Sequence, residues 1–273
     1  MDDQTRTQTD RSGSASRTGT ALITAGASGV GKTMAQAFRA AGWDVHVCDV
    51  DPRAIEGVTA AQDGITASLA DVASPADAER TISDALAHHG RIDVLINNAG
   101  IAGATGPVDQ ADPDDFRRVL DVNVTGAFLF TRAVAPVMRA AGHGAIINIA
   151  STAALFGYPL RSAYAASKWA LIGLTKTWAM ELGPAGVRVN AICPGSVEGE
   201  RIDGVIARDA ASRGVDPALV RRTYERQTSL RTFVSGEDIA NMALFLASES
   251  GRRISGQTIA VDGHTETLAF DSD

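Results

Sequence analysis

From Ala21 onward, short apolar runs rich in β-branched residues alternate with longer stretches whose apolar positions recur at helical spacing. The runs 21–24, 44–49, 64–68, 92–97, 145–150, 187–192 and 257–261 predict strands. Helical patterns occupy 31–41, 74–89, 112–139, 162–182 and 236–248. Strand–helix alternation of this kind predicts an α/β fold, a doubly wound parallel sheet of about seven strands with helices on both faces. The near-continuous apolar runs 92–97 and 145–150 suit strands buried on both sides.

No internal repeat and no second domain interrupts the pattern, so residues 19–273 are read as one domain. Residues 1–18 are almost entirely polar and are expected to form a disordered tail, because they bury too little apolar surface to offset ordering entropy. The zone 195–232 is the one long irregular stretch, and it is read as a lid over a substrate site. Its arginines, including Arg201, Arg208, Arg213, Arg221, Arg222, Arg226 and Arg231, alternate with acids, the pattern of a solvated face of mixed charge.

Composition narrows the function classes. The chain has 273 residues, 45% of them hydrophobic and 21% charged, with a formal charge of −7. That balance gives no general attraction to nucleic acid or anionic lipid. No apolar run approaches the ~20 residues of a membrane span. The first residues lack the apolar core of an export signal, so a cytoplasmic protein is expected. Cys48 and Cys193 end strand-like runs and are expected as buried thiols, and neither has metal-ligand spacing, so no metal is expected.

Two segments carry candidate chemistry. Thr24-Ala25-Gly26-Ala27-Ser28-Gly29-Val30-Gly31 lies between the first strand and the first helix. Glycines there permit a tight turn and let the backbone approach a pyrophosphate seated on the helix N-terminus. Asp49 ends the second strand, where a carboxylate accepts hydrogen bonds from ribose hydroxyls and repels a 2′-phosphate, which favours NAD over NADP. Arg53, close behind it, is expected to point to solvent.

In the second segment, Tyr164 and Lys168 stand four apart in a helical pattern and so share a face. A neighbouring ammonium stabilises a phenolate and moves a tyrosine toward useful acid–base chemistry. Ser151 follows the strand 145–150 at the carboxyl edge of the sheet, where open α/β sheets bind their ligands.

With these residues together, the sequence resembles the short-chain dehydrogenase/reductase superfamily, single-domain type, from about residue 20 to 265. The glycine-rich loop, Asp71-Val72, Asn97-Asn98-Ala99-Gly100, Asn123, Ser151, Tyr164, Lys168 and Pro194-Gly195 stand in the family's order. The resemblance implies a Rossmann-like fold and hydride transfer between NAD(H) and a secondary alcohol or ketone. Tyr164 would be the general acid or base, Ser151 would polarise the substrate oxygen, and Lys168 would bind the nicotinamide ribose and lower the Tyr164 pKa.

Asn123 would hold a water of the proton relay. Gly26, Ser28, Gly29, Val30 and Gly31 would surround the pyrophosphate, Asp49 the ribose, and Asp71 and Val72 the adenine. Asn98, Ala99 and Gly100 would line the cleft, and Pro194, Gly195 and Val197 the nicotinamide wall. Related proteins pair the long helices in homotetramers, and small-molecule alcohols or ketones are the expected partners.

Two departures stand out. Ala25 replaces the loop's first glycine and fits at small cost if its φ stays negative. Gly199 stands where the family often has a threonine. The alternatives to an NAD-linked enzyme are an NADP-dependent 3-oxoacyl-type reductase, a non-catalytic NAD-binding protein, and a nucleotide-sugar epimerase lacking its usual extra domain.

Overall fold

The structure, a computed structural model, describes residues 18–61 and 64–267. Residues 1–17 of the predicted tail lie outside the described residues. Seven strands form a parallel sheet: β1 (Thr20–Thr24), β2 (Asp44–Asp49), β3 (Ile65–Leu69), β4 (Val94–Asn97), β5 (Gly144–Ile149), β6 (Val187–Pro194) and β7 (Thr258–Val261). Their order is β3-β2-β1-β4-β5-β6-β7. The chain steps outward from β1 to β3 and then crosses back to β4. This reversal opens a crevice at the carboxyl ends of β1 and β4.

Alternation along each strand fills two cores. Leu22, Leu95, Ile146 and Val189 face α3 (Pro75–His89), α5 (Gly126–Ala141) and α6 (Ser162–Leu182), where Ile82, Phe130, Met138 and Leu171 meet them. Ala21, Ile23, Val45, Val47 and Ile96 face the other way, onto α1 (Gly29–Ala40), α2 (Pro52–Ala61) and α9 (Gly236–Ala247), against Met34, Phe38, Ile239 and Leu246. Local signals set the helix starts. Ser74 caps α3, its hydroxyl accepting the Asp77 N–H at 3.3 Å ahead of Pro75, and a reciprocal capping box between Ser235 and Asp238 starts α9.

Three expectations are revised. The helical pattern 112–139 is two helices, α4 (Pro113–Leu120) and α5, joined by a π-helical turn at Asp121–Thr125. Residues 52–61, beyond the helical patterns named above, form α2. The irregular zone contains two helices, α7 (Glu200–Arg213) and α8 (Pro217–Arg226), and Asp216 caps α8 through the Ala218 N–H at 2.8 Å. Arg221 of α8 ties the zone together, reaching Glu198, Asp203 and Glu225 and lying 4.6 Å over the Phe233 ring.

A buried histidine sits inside β2. His46 is fully inaccessible, with its ring nitrogens 2.7 Å from Thr66 Oγ1 and 2.9 Å from Ser68 Oγ of β3. Ser68 donates to Asp84 and Thr66 meets His89, both on α3. Burial, together with the His89 and His88 charges, pushes the His46 imidazole from 6.5 down to about 4.

Candidate active site

The glycine-rich loop leaves β1 and bends under close steric limits. A Cβ on Gly31 would overlap the Ala25 carbonyl oxygen and come within 2.6 Å of Asn98 Nδ2, and one on Gly26 would strike Val47 at 2.6 Å. Gly29 has φ +51° and faces open space. Ala25 has φ +48°, which corrects the expectation of negative φ: the alanine carries left-handed backbone strain of roughly 1–2 kcal/mol. Asn98 holds the strained turn, its Nδ2 donating to the Thr24 and Ala25 carbonyls at 3.0 and 3.1 Å. Thr24 Oγ1 accepts the Asn98 and Ala99 N–H groups, both at 3.0 Å, a brace that sequence reasoning left without a role.

Ser28 caps α1 with an exposed side chain that makes no capping bond. Val30 is half-buried and packs on the core below α1. Asp49 is buried at the end of β2 and accepts the Ala27 N–H at 3.3 Å and the Asp51 N–H at 3.2 Å. Arg53 is exposed, as expected. A cleft of about 450 Å³ opens here, lined by Ala25, Asp49, Asp71, Val72, Ala99 and Gly100 among others. Asp71 is not the cap of α3: its Oδ1 accepts the Ala73 N–H at 2.9 Å, whereas Ser74 caps the helix through the Asp77 N–H. Glycines that admit no side chain, a helix N-terminus and a carboxylate at the next strand end are what a dinucleotide's pyrophosphate and ribose require.

A larger hollow, about 570 Å³, lies at the opposite edge among Trp43, Arg91, His143 and Arg188. None of the sequence-predicted site residues lines it.

The second half of the site is built on β5 and α6. Ser151 follows β5 and its Oγ accepts the Ala153 N–H at 3.1 Å. Lys168 is buried, donates to the Ile149 carbonyl at 2.9 Å and lies 5.6 Å from the Tyr164 ring centre. Tyr164 is half-buried, one helical turn before it. Burying an ammonium costs energy unless it is paired or bonded. Here the strand end supplies an acceptor, and Gly100 leaves room: a Cβ there would lie 3.3 Å from both Lys168 Nζ and Asn123 Oδ1.

Asn123 occupies the π turn. Its Oδ1 accepts the Ile101 N–H at 2.7 Å, and its Nδ2 donates to the Ile101 carbonyl and to Ser167 Oγ, both at 2.9 Å. Both amide protons are therefore committed. Ser167 in turn donates to the Tyr164 carbonyl at 2.7 Å within α6, so Asn123 is tied to the helix that carries Tyr164, a link that the sequence did not reveal.

Pro194 ends β6, and the Gly195 N–H donates to Val261 at 3.1 Å where a Cβ would crowd Asp262 at 2.9 Å. Val197 pairs with Val234 in a parallel bridge closed by Val234 N–H to Ser196 (3.0 Å) and Glu198 N–H to Val234 (2.9 Å). Those bonds use the neighbours of Val197, so its own peptide groups face away from Val234. Gly199 has φ +130° at the start of α7, a conformation that disfavours the threonine common at this point.

Cys48 and Cys193 are free and buried, and burial pushes their thiols up to about 12 and about 11. Among the described residues no group of three or more histidines, cysteines or acids is placed to hold a metal ion.

Sheet order and cleft define a Rossmann-type α/β protein. A family model described as Enoyl-(Acyl carrier protein) reductase matches residues 24–264. Trans-4-hydroxycyclohexanecarboxylate dehydrogenase of Sinomonas cyclohexanicum is 38% identical over 89% of this chain and 91% of its own length. A 3-oxoacyl-[acyl-carrier-protein] reductase of Thermotoga maritima is 32% identical over 89% of this chain and 95% of its own. The crystal structure of an NAD+-bound xylitol dehydrogenase superposes with a TM-score of 0.85 at 30% identity, covering 90% of this chain and 98% of that one. The chain belongs to the short-chain dehydrogenase/reductase family and is an oxidoreductase.

Proposed function

We propose that this protein is an NAD(H)-dependent dehydrogenase that interconverts a secondary alcohol and its ketone, working as a cytoplasmic homotetramer. The observation that carries the reading is the buried Lys168, bonded to the end of β5 two residues before Ser151 and set 5.6 Å from the Tyr164 ring. Two relatives whose names specify alcohol substrates, a hydroxycyclohexanecarboxylate and xylitol, support the same chemistry.

The nicotinamide dinucleotide, when bound, supplies or accepts the hydride. Gly26, Ser28, Gly29, Val30 and Gly31 would receive its pyrophosphate, Asp49 its adenosine ribose, and Asp71 and Val72 its adenine. Asn98, Ala99 and Gly100 would line the path to the nicotinamide, with Pro194, Gly195 and the outward peptide of Val197 at its carboxamide. Ser151 Oγ orients the substrate oxygen. Tyr164 Oη gives a proton to that oxygen during reduction and takes it during oxidation. Lys168 steadies the phenolate by its charge and would hold the nicotinamide ribose. Because the Asn123 side chain is committed to Ile101 and Ser167, any relay water would be held by the main chain of the π turn.

The test is a titration of NADH and NADPH by fluorescence and thermal shift, followed by an alcohol panel with the preferred cofactor. Preference for NADH that narrows in Asp49→Ser supports the reading. Preference for NADPH in the wild type overturns the cofactor assignment and favours an oxoacyl-type reductase, the activity named for the Thermotoga relative. Tyr164→Phe is expected to lose about 10²–10⁴-fold in kcat while retaining NADH binding.

A further inference from the structure

Two half-buried arginines, Arg221 in the lid and Arg161 just ahead of α6, differ in partners. Arg221 is saturated, with Glu198, Asp203 and Glu225 around it. Arg161 has no carboxylate at ion-pair distance among the described residues. Its guanidinium lies 5.8 Å from the centre of the Tyr158 ring, which is its side-chain contact. A half-buried guanidinium with no carboxylate beside it is placed to pair with an anion that arrives.

The position is functional ground. Arg161 immediately precedes α6, three residues ahead of Tyr164. Its charge acts on both Tyr158 and Tyr224, phenols that also act on each other across the seam between the loop before α6 and α8. The acid facing this seam from α7, Asp209, is already engaged by Arg213 at 2.8 Å. A small buried apolar cluster adjoins it: Tyr224 packs with Ile206, Val220 and Phe233.

The backbone is strained at the same point. Leu160, the residue before Arg161, has φ +64°, and its carbonyl is pinned by the Gly106 N–H at 3.0 Å. A leucine held in the left-handed region costs roughly 1–2 kcal/mol, and such strain concentrates where a side chain must be aimed.

We propose that Arg161 is a substrate-binding residue that selects secondary alcohols and ketones bearing a carboxylate, with Tyr158 and Tyr224 lining the pocket for the carbon skeleton. This rests on the dehydrogenase reading above and names the substrate class of that same site. The carboxylate docks on the guanidinium by charge-assisted, bidentate hydrogen bonds, and this fixes which carbon of the ring or chain lies beside Tyr164.

The experiment pairs each hydroxy acid of a panel, trans-4-hydroxycyclohexanecarboxylate among them, with its primary amide. Wild type, Arg161→Gln and Arg161→Lys are assayed with NAD. The wild type is expected to prefer the acids. In R161Q the acid-to-amide ratio of kcat/KM is expected to fall about 30- to 100-fold, mostly through KM, with partial rescue in R161K. NADH affinity serves as the folding control.

A second arm needs no turnover: thermal shift of the NADH complex with cyclohexanecarboxylate against cyclohexanecarboxamide. The acid is expected to stabilise the wild type and not R161Q. Amides used as well as acids, an acid preference that survives R161Q, or a sulfonate analogue preferred over the carboxylate would each overturn the proposal. If no alcohol is oxidised although NADH binds, the dehydrogenase reading fails, while the thermal-shift arm still decides whether Arg161 holds a carboxylate.

Discussion

Ala25 and Gly31 pull the cofactor loop in opposite directions. Ala25 is strained where it stands, so Ala25→Gly is expected to be neutral or stabilising by up to about 1 kcal/mol, the relief of strain being partly offset by a freer unfolded chain. Gly31→Ala has no such freedom, because its methyl meets a carbonyl oxygen and the Asn98 amide. It should cost about 1–3 kcal/mol in chemical denaturation and weaken NADH binding in the same fluorescence titration. An unchanged Gly31→Ala protein would mean that the loop yields more readily than its packing implies. The sequence revealed that this loop matters and could not reveal the sign of φ at Ala25. That sign is set by Asn98 and Thr24, more than seventy residues apart.

At the scale of elements, the strands were legible and the connections less so. All seven predicted strands lie within about three residues of the observed ones, because buried parallel strands are written as compact apolar runs. The break between α4 and α5 was hidden, since the π turn is held by Ile101 and Ser167, outside its own segment. The helices α7 and α8 were masked by mixed charge, although Asp216-Pro217 is a start signal available in the sequence.

The β2–β3–α3 contact also carries a pH dependence. His46 is neutral in the folded protein with its pKa lowered to about 4, whereas the unfolded chain binds a proton near 6.5. Its contribution is therefore complete above pH 6.5 and is lost as pH falls from 6.5 toward 4, by about 3 kcal/mol in all. Urea melts at pH 7 and pH 4.5 should show that loss, and His46→Gln should flatten the difference. An equal difference in the variant would place the acid sensitivity elsewhere.

For the whole molecule, the question is what covers α6. Trp169 and Met180 are eleven residues apart, hence on one face of that helix, and they are 52% and 80% exposed. Phe128 of α5 is also 44% exposed. No described helix is long and apolar enough to cross a membrane. The proposed homotetramer would bury this face. Trp169→Glu is expected to yield smaller species in light scattering behind a sizing column. A wild type already monomeric at micromolar concentration would refute the assembly. Oligomerisation was carried by family resemblance, since helical periodicity alone does not say what an outward apolar face meets.

The bridge between Val197 and Val234 has a consequence for engineering. It brings the two ends of the 198–233 segment side by side before β7 completes the sheet. The segment is thus closed at its neck and tied a second time where Thr228 pairs with Thr265 beyond β7, and loop-closure entropy rises only slowly with the length inserted between such ties. Lids of different length or composition should be graftable between these two valines with the sheet left intact. Substrate range could then be redesigned by exchanging about one-eighth of the chain while the machinery on β5 and α6 stays as it is.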